Sequence, residues 1–168
     1  MSMATNLTSP PPEPSAPLVR GESATDAARR VLDAITYMTL ATADAAGRPW
    51  ATPVWFAERD LREFIWVSRF ETRHSRNVTE RPEVSIAIFD STVAVGGAIA
   101  VYVEATAEEL AEDDLSGPLE VFNERSVAQG LRAWRPSDVS GFAPHRLYRA
   151  TASHAWVLDE EEHRVPLP

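Results

Sequence analysis

Arg69, Arg73, His74 and Arg76 fall within one short stretch, interleaved with Ser68, Thr72 and Ser75. The chain around them is acidic, with a net charge of −9, so this basic, hydroxyl-rich island stands out. It follows an apolar run, Phe64-Ile-Trp-Val67, that reads as a buried strand. A strand that ends in a hydroxyl and then opens a helix suits an anion. First-turn N–H groups, a hydroxyl at the helix start and cationic side chains can converge on one phosphate. The expected chemistry is therefore capture of a phosphate, the phosphate of a cofactor.

Composition narrows the chemistry further. There is no cysteine, which excludes disulfides, thiolate catalysis, iron–sulfur clusters and Cys-ligated zinc. There is no lysine either; all 16 cationic residues are arginine. A lysine Schiff base to pyridoxal phosphate and a Walker-type phosphate loop are both excluded. His145, His154 and His163 lack metal-ligand spacing, so no metal is assigned. The net negative charge argues against nucleic acid as a partner. No apolar run reaches membrane-spanning length, and no basic-then-apolar leader opens the chain. A cytoplasmic location with no membrane partner is the expectation.

The elements that must position the basic island come next. Residues 1–22 are rich in Pro, Ser and Thr and read as a disordered tail, leaving 23–168 as a single domain. Ser23-Ala-Thr-Asp26 starts a helix over about 25–35. Strands are expected at 37–42, 49–57, 64–68, 84–89 and 98–106, with a return to strand at 146–158. Residues 69–80 read as a short helix, and 118–134 as a longer one whose Leu119, Phe122, Val127 and Leu131 repeat at helical intervals. The acidic run 159–162 reads as a solvated turn. Six closely spaced strands with few helices imply a small barrel.

In this order the segments resemble the pyridoxamine 5'-phosphate oxidase-like family of FMN-binding split barrels. Gly47-Arg-Pro-Trp-Ala-Thr-Pro-Val-Trp-Phe56 is similar to the family's second strand, whose backbone lies along the flavin. Trp66-Val-Ser68 is similar to the third strand, and Thr72-Arg-His74 to the phosphate clamp, with His74 at the usual Lys. Arg81-Pro-Glu-Val84 and Tyr102–Leu110 match the strands that follow. Trp156 and His163-Arg164 resemble a C-terminal Trp and basic segment that the family places near the flavin of the partner subunit. Three departures separate the chain from the pyridoxamine-phosphate oxidases themselves. Val121–Ser126 lacks their Tyr, Arg and Ser spacing, Arg164-Val-Pro stands for their Arg-Leu-His, and Ala100 replaces a flavin-contacting glutamine.

The resemblance implies a mainly β fold with flanking helices, a six-stranded antiparallel split β-barrel of the FMN-binding type. It implies a homodimer with cofactor sites at the subunit interface. It places FMN against Thr52, Pro53, Val54, Trp55, Val67, Ser68, Thr72, Arg73 and His74, with Trp156 and Arg164 arriving from the neighbouring chain. The activity expected is flavin-dependent hydride transfer to or from a small organic substrate, with no side chain assigned as catalyst. A deazaflavin coenzyme on the same fold is the first alternative. A non-catalytic flavin- or haem-binding dimeric module is the second.

Overall fold

Local chemistry sets the boundaries of most elements of the chain, whose computed structural model describes residues 21–94, 97–158 and 163–168. The Ser23 hydroxyl accepts from the Asp26 N–H at 3.1 Å and starts helix α1 (Ala24–Ala34). Ala27, Ala28, Val31 and Leu32 form its buried stripe. Strands β1 (Tyr37–Ala43) and β2 (Pro49–Trp55) form a hairpin. Its turn uses Gly47 at φ +79°, a conformation glycine adopts without strain. Strands β3 (Ala57–Arg59) and β4 (Glu63–Arg69) follow, then helix α2 (Arg73–Glu80). The chain continues through β5 (Glu83–Phe89), β6 (Ala100–Glu109), helix α3 (Ser116–Ala128), β7 (His145–Leu158) and β8 (Arg164–Pro166).

Every strand pairing is antiparallel, and the sheet runs β2-β1-β5-β6-β7-β4-β3, with β8 added on β7. The two ends of this path, β2 and β3, are halves of one strand that bends at Phe56. The sheet thus curls into a half-barrel, joined at the bend and split between β2 and the far half of β4. This is the split barrel expected, with flanking helices. The six expected strands are all present; the second divides at Phe56, and β8 is an additional short strand.

β4 explains the unbroken apolar run in the sequence. Phe64 and Trp66 point into the barrel, while Ile65 packs with Leu147, Leu119 and Phe122 in a second core under α3. A strand covered on both faces has no polar alternation to show.

Two helices differ from expectation. α2 begins at Arg73 rather than at 69, because residues 69–72 form a turn closed by Thr72 N–H to the Arg69 carbonyl (3.1 Å). α3 ends at Ala128 rather than running to 134, with Gly130 at φ +75° just beyond it. Val127 and Leu131, two of the four residues at helical intervals, are 57% and 55% exposed. The expected tail lies outside the described residues up to position 20. Glu22, at its end, accepts from Arg30 at 2.9 Å. The expected turn at 159–162 also lies outside them. Among the described residues no helix is long and apolar enough to cross a membrane.

Arg125 ties α3 to the bend. Its guanidinium donates to the carbonyls of Leu32 (2.9 Å) and Ile35 (2.7 Å) at the end of α1 and lies 4.7 Å from the Phe56 ring centroid. Burial pulls its pKa below the usual guanidinium range, and the fields of Asp33 and Glu58 oppose that shift. Arg125→Ala leaves two carbonyls short of a donor and should cost about 2–3 kcal/mol, read as a lower midpoint in urea unfolding.

Candidate functional site

Ser68 is on the inward face of β4, and the turn that follows folds α2 back over it. His74 is only 8% exposed. Its Nε2 lies 2.9 Å from the Ser68 hydroxyl and 3.1 Å from the Thr72 hydroxyl. Burial holds the imidazole below its ordinary pKa of 6.5, so it is neutral at neutral pH. His74 is therefore placed to orient two hydroxyls rather than to supply charge. The buried Ser75 hydroxyl donates to the Arg69 carbonyl at 3.0 Å and lies 2.9 Å from the Thr72 hydroxyl. Deeper still, Asn77 donates to the Thr42 hydroxyl at 2.9 Å and anchors α2 on β1.

Thr72 occupies the residue before α2, where a hydroxyl would ordinarily accept from the first turn. It makes no such bond, and its hydroxyl instead lies 3.0 Å from the Arg69 carbonyl. α1, by contrast, is capped by Ser23. The start of α2 thus presents uncapped N–H groups with their positive end of the helix dipole. Arg73, the first helical residue, is exposed and reaches across the split, its guanidinium 4.5 Å from the Trp50 ring centroid. An open groove of about 660 Å³ lies beside it, lined by Asp44, Arg48, Glu71, Arg73, Arg76 and Glu80. Asp44 is paired with Arg48 at 2.7 Å, and Glu80 accepts from the Ala45 N–H at 3.2 Å.

β2 forms the opposite lip of the split. Pro49, Ala51 and Pro53 share one side of its pleat and are exposed. A proline has no N–H for a ladder, and β2 accommodates two because only one of its edges is paired.

The structure therefore brings Ser68, Thr72, Arg73 and His74 together, with Thr52 and Pro53 on the facing strand. Val54 has its side chain in the barrel core, and Val67 packs against the second core. The Trp55 indole turns away from α2, donating to Gln129 at 2.8 Å and meeting Phe122 edge-on at 4.6 Å. Only the backbone of Val54 and Trp55 remains at the lip. Trp156 and Arg164 lie elsewhere in the same chain. Arg164 sits 4.9 Å from the Tyr102 ring centroid, Trp156 is the strand partner of Tyr102, and the His154 ring stacks 5.7 Å from Trp156. β7 is four strands from β2 along the sheet, a distance of about 19 Å at ordinary strand spacing. Ser75 belongs to the hydroxyl-rich island without being among the expected ligands, and Asn77 is marked by none of the signals that define that island. Nothing local marks Gln129 as the partner of Trp55.

No protein of curated function matches the chain. Among solved structures, it is similar to a heme-binding protein from Mycobacterium smegmatis, at 18% identity and a TM-score of 0.69 over 87% of this chain. It spans only 58% of that protein's length. It is also similar to HutZ, the heme storage protein from Vibrio cholerae, at 21% identity and a TM-score of 0.66, covering 84% of this chain and all of that one (100%). A FAD-binding protein from Mesorhizobium loti aligns at 20% identity and a TM-score of 0.57, over 81% and 94% of the two chains. Identities this low establish the fold alone. The family profile described as pyridoxamine 5'-phosphate oxidase matches residues 24–159, and with the split barrel in place the chain belongs to that family.

Proposed function

We propose that this protein binds FMN in the split and acts, as a homodimer, as a flavin-dependent oxidoreductase on a small organic substrate. The observation that carries the reading is the uncapped start of α2, with Arg73 at its first position and the hydroxyls of Ser68 and Thr72 beside it. This donor set fits a phosphate monoester: backbone N–H groups, hydroxyls and a guanidinium, arranged around a neutral imidazole. The free edge of β2 from Ala51 to Trp55 would lie along the ring, and Trp50 would hold Arg73 in place. When bound, the flavin supplies hydride transfer; the chain's own residues bind it, orient it and shield it. In the adjoining groove Asp44, Glu71 and Glu80 balance Arg48, Arg73 and Arg76, so it is not the basic exit that a long acidic tail needs, which supports FMN over a deazaflavin coenzyme.

The dimer reading has its own support. The outward face of the sheet is poor in charge along β1 and β2, where Thr39 faces Pro53 and Ala41 faces Ala51. Tyr37 and Phe89 are exposed on the same face. Such a face suits burial against a second copy better than contact with water. It would also bring the distant Trp156 and Arg164 to a neighbour's split.

FMN added to the purified protein should give a bound-flavin absorbance spectrum and a higher melting temperature. Arg73→Ala should weaken FMN binding by about tenfold or more. A protein that takes up no FMN, or shows a Soret band instead, rejects the reading. The Arg73→Ala and Arg164→Ala homodimers, each weakened in binding, should on mixing recover FMN affinity at one split of each mixed dimer, since that split then has both arginines. No recovery on mixing rejects the shared site.

The His74 imidazole has a folded pKa below 6.5, so the unfolded chain takes up that proton first as pH falls. Stability should therefore decline on acidification from about 6.5 down toward the folded value. His74→Gln should show a shallower decline over the same range in urea unfolding.

A further inference from the structure

On the α3 side of the split, away from α2, four rings form a row. Trp55 meets Phe122 at 4.6 Å, Phe122 meets Trp134 at 6.4 Å, and Trp134 meets His145 at 5.4 Å, each close to edge-on. The row starts on β2 beside the bend and ends on β7. Basic side chains cluster at its far end. Arg69 and His145 are cross-strand partners of β4 and β7, and the Arg132 guanidinium lies 4.4 Å from the Trp134 ring centroid. One carboxylate is present, Asp138, and it is shared by Arg132 (2.9 Å) and Arg135 (3.2 Å). Among the described residues no carboxylate pairs with Arg69.

We infer that Arg69, Arg132 and His145, at the end of this aromatic row, form a subsite for the anionic group of a planar organic molecule. The charge balance is the first reason. In a chain of net −9, three arginines here, Arg69, Arg132 and Arg135, have the single carboxylate of Asp138 among them, and it pairs with Arg132 and Arg135 only. The second is shape. Trp134, carrying Arg132 on its face, supplies a flat wall against which a ring can pack while its anion meets the guanidinium groups. The third is position. Val67 on β4 and Trp55 on β2 both pack against the second core, so the patch borders the split on the side opposite the phosphate cluster. Burial, and then the fields of Arg69 and Arg132, hold His145 below its ordinary pKa, and a bound anion would offset those fields. That the anion is the substrate of the oxidoreductase rests on the flavin reading above; its binding does not.

The test is a titration of the full-length protein with benzoate and with benzamide, its neutral counterpart, followed by the NMR signals of the Trp134 indole and the His145 imidazole. Benzoate should perturb both signals and bind more tightly than benzamide. Arg69→Gln and Arg132→Ala should each weaken benzoate by about tenfold, while FMN affinity holds. Arg73→Ala should do the reverse, so failure of one site is distinguishable from failure of the other. Equal binding of benzamide, or unchanged benzoate affinity in both variants, overturns the subsite.

Discussion

The bend at Phe56 is the constraint on which the rest of the structure depends. One continuous strand pairs with β1 before the bend and with β4 after it, so the sheet is joined at that point and must gape beyond it. Phe56 is fully buried in the barrel core, and Arg125 lies on its ring while holding the end of α1. A cation in this position pays for its desolvation through two carbonyl hydrogen bonds and the aromatic face. The closed end and the open end of the barrel are consequences of one packing arrangement.

The open end gives α2 its character. The turn after β4 places Thr72 where it would cap the helix, yet the hydroxyl is drawn to the Arg69 carbonyl. His74, buried and neutral, holds Ser68 and Thr72 in place without adding charge. The positive character of the site comes instead from uncapped N–H groups and from Arg73, the one exposed member of the cluster. This arrangement keeps the cost of burying charge low while leaving a strong donor set at the lip.

β4 separates two environments. On its inner face, Ser68 joins the hydroxyl and imidazole cluster; its outer face leads from Ile65 and Val67 to Arg69, beside Trp134 and His145. The split therefore has hydrogen-bond donors on one side and aromatic rings with basic side chains on the other.

Local signals made much of this legible from residue order. Strand positions followed from apolar runs and turn residues, the α1 start from Ser23, and the grouping of Ser68, Thr72, Arg73 and His74 from their place in one short segment. The family pattern rested on the same order of segments. Tertiary structure decided what each side chain faces. Trp55 belongs to α3 because Gln129, 74 residues further on, accepts its indole N–H. Leu131 repeats at helical spacing yet lies outside the helix, because the chain turns at Gly130 to bring Trp134 back onto Asn123. His74 stands where the family resemblance places a Lys, and burial under the fold holds its imidazole further toward the neutral form. Periodicity and turn chemistry act between residues close in sequence, so the chain alone determined its elements and its basic island. Desolvation and ring contacts arise between segments far apart, so only the folded barrel decided which of those residues carry charge and where they meet.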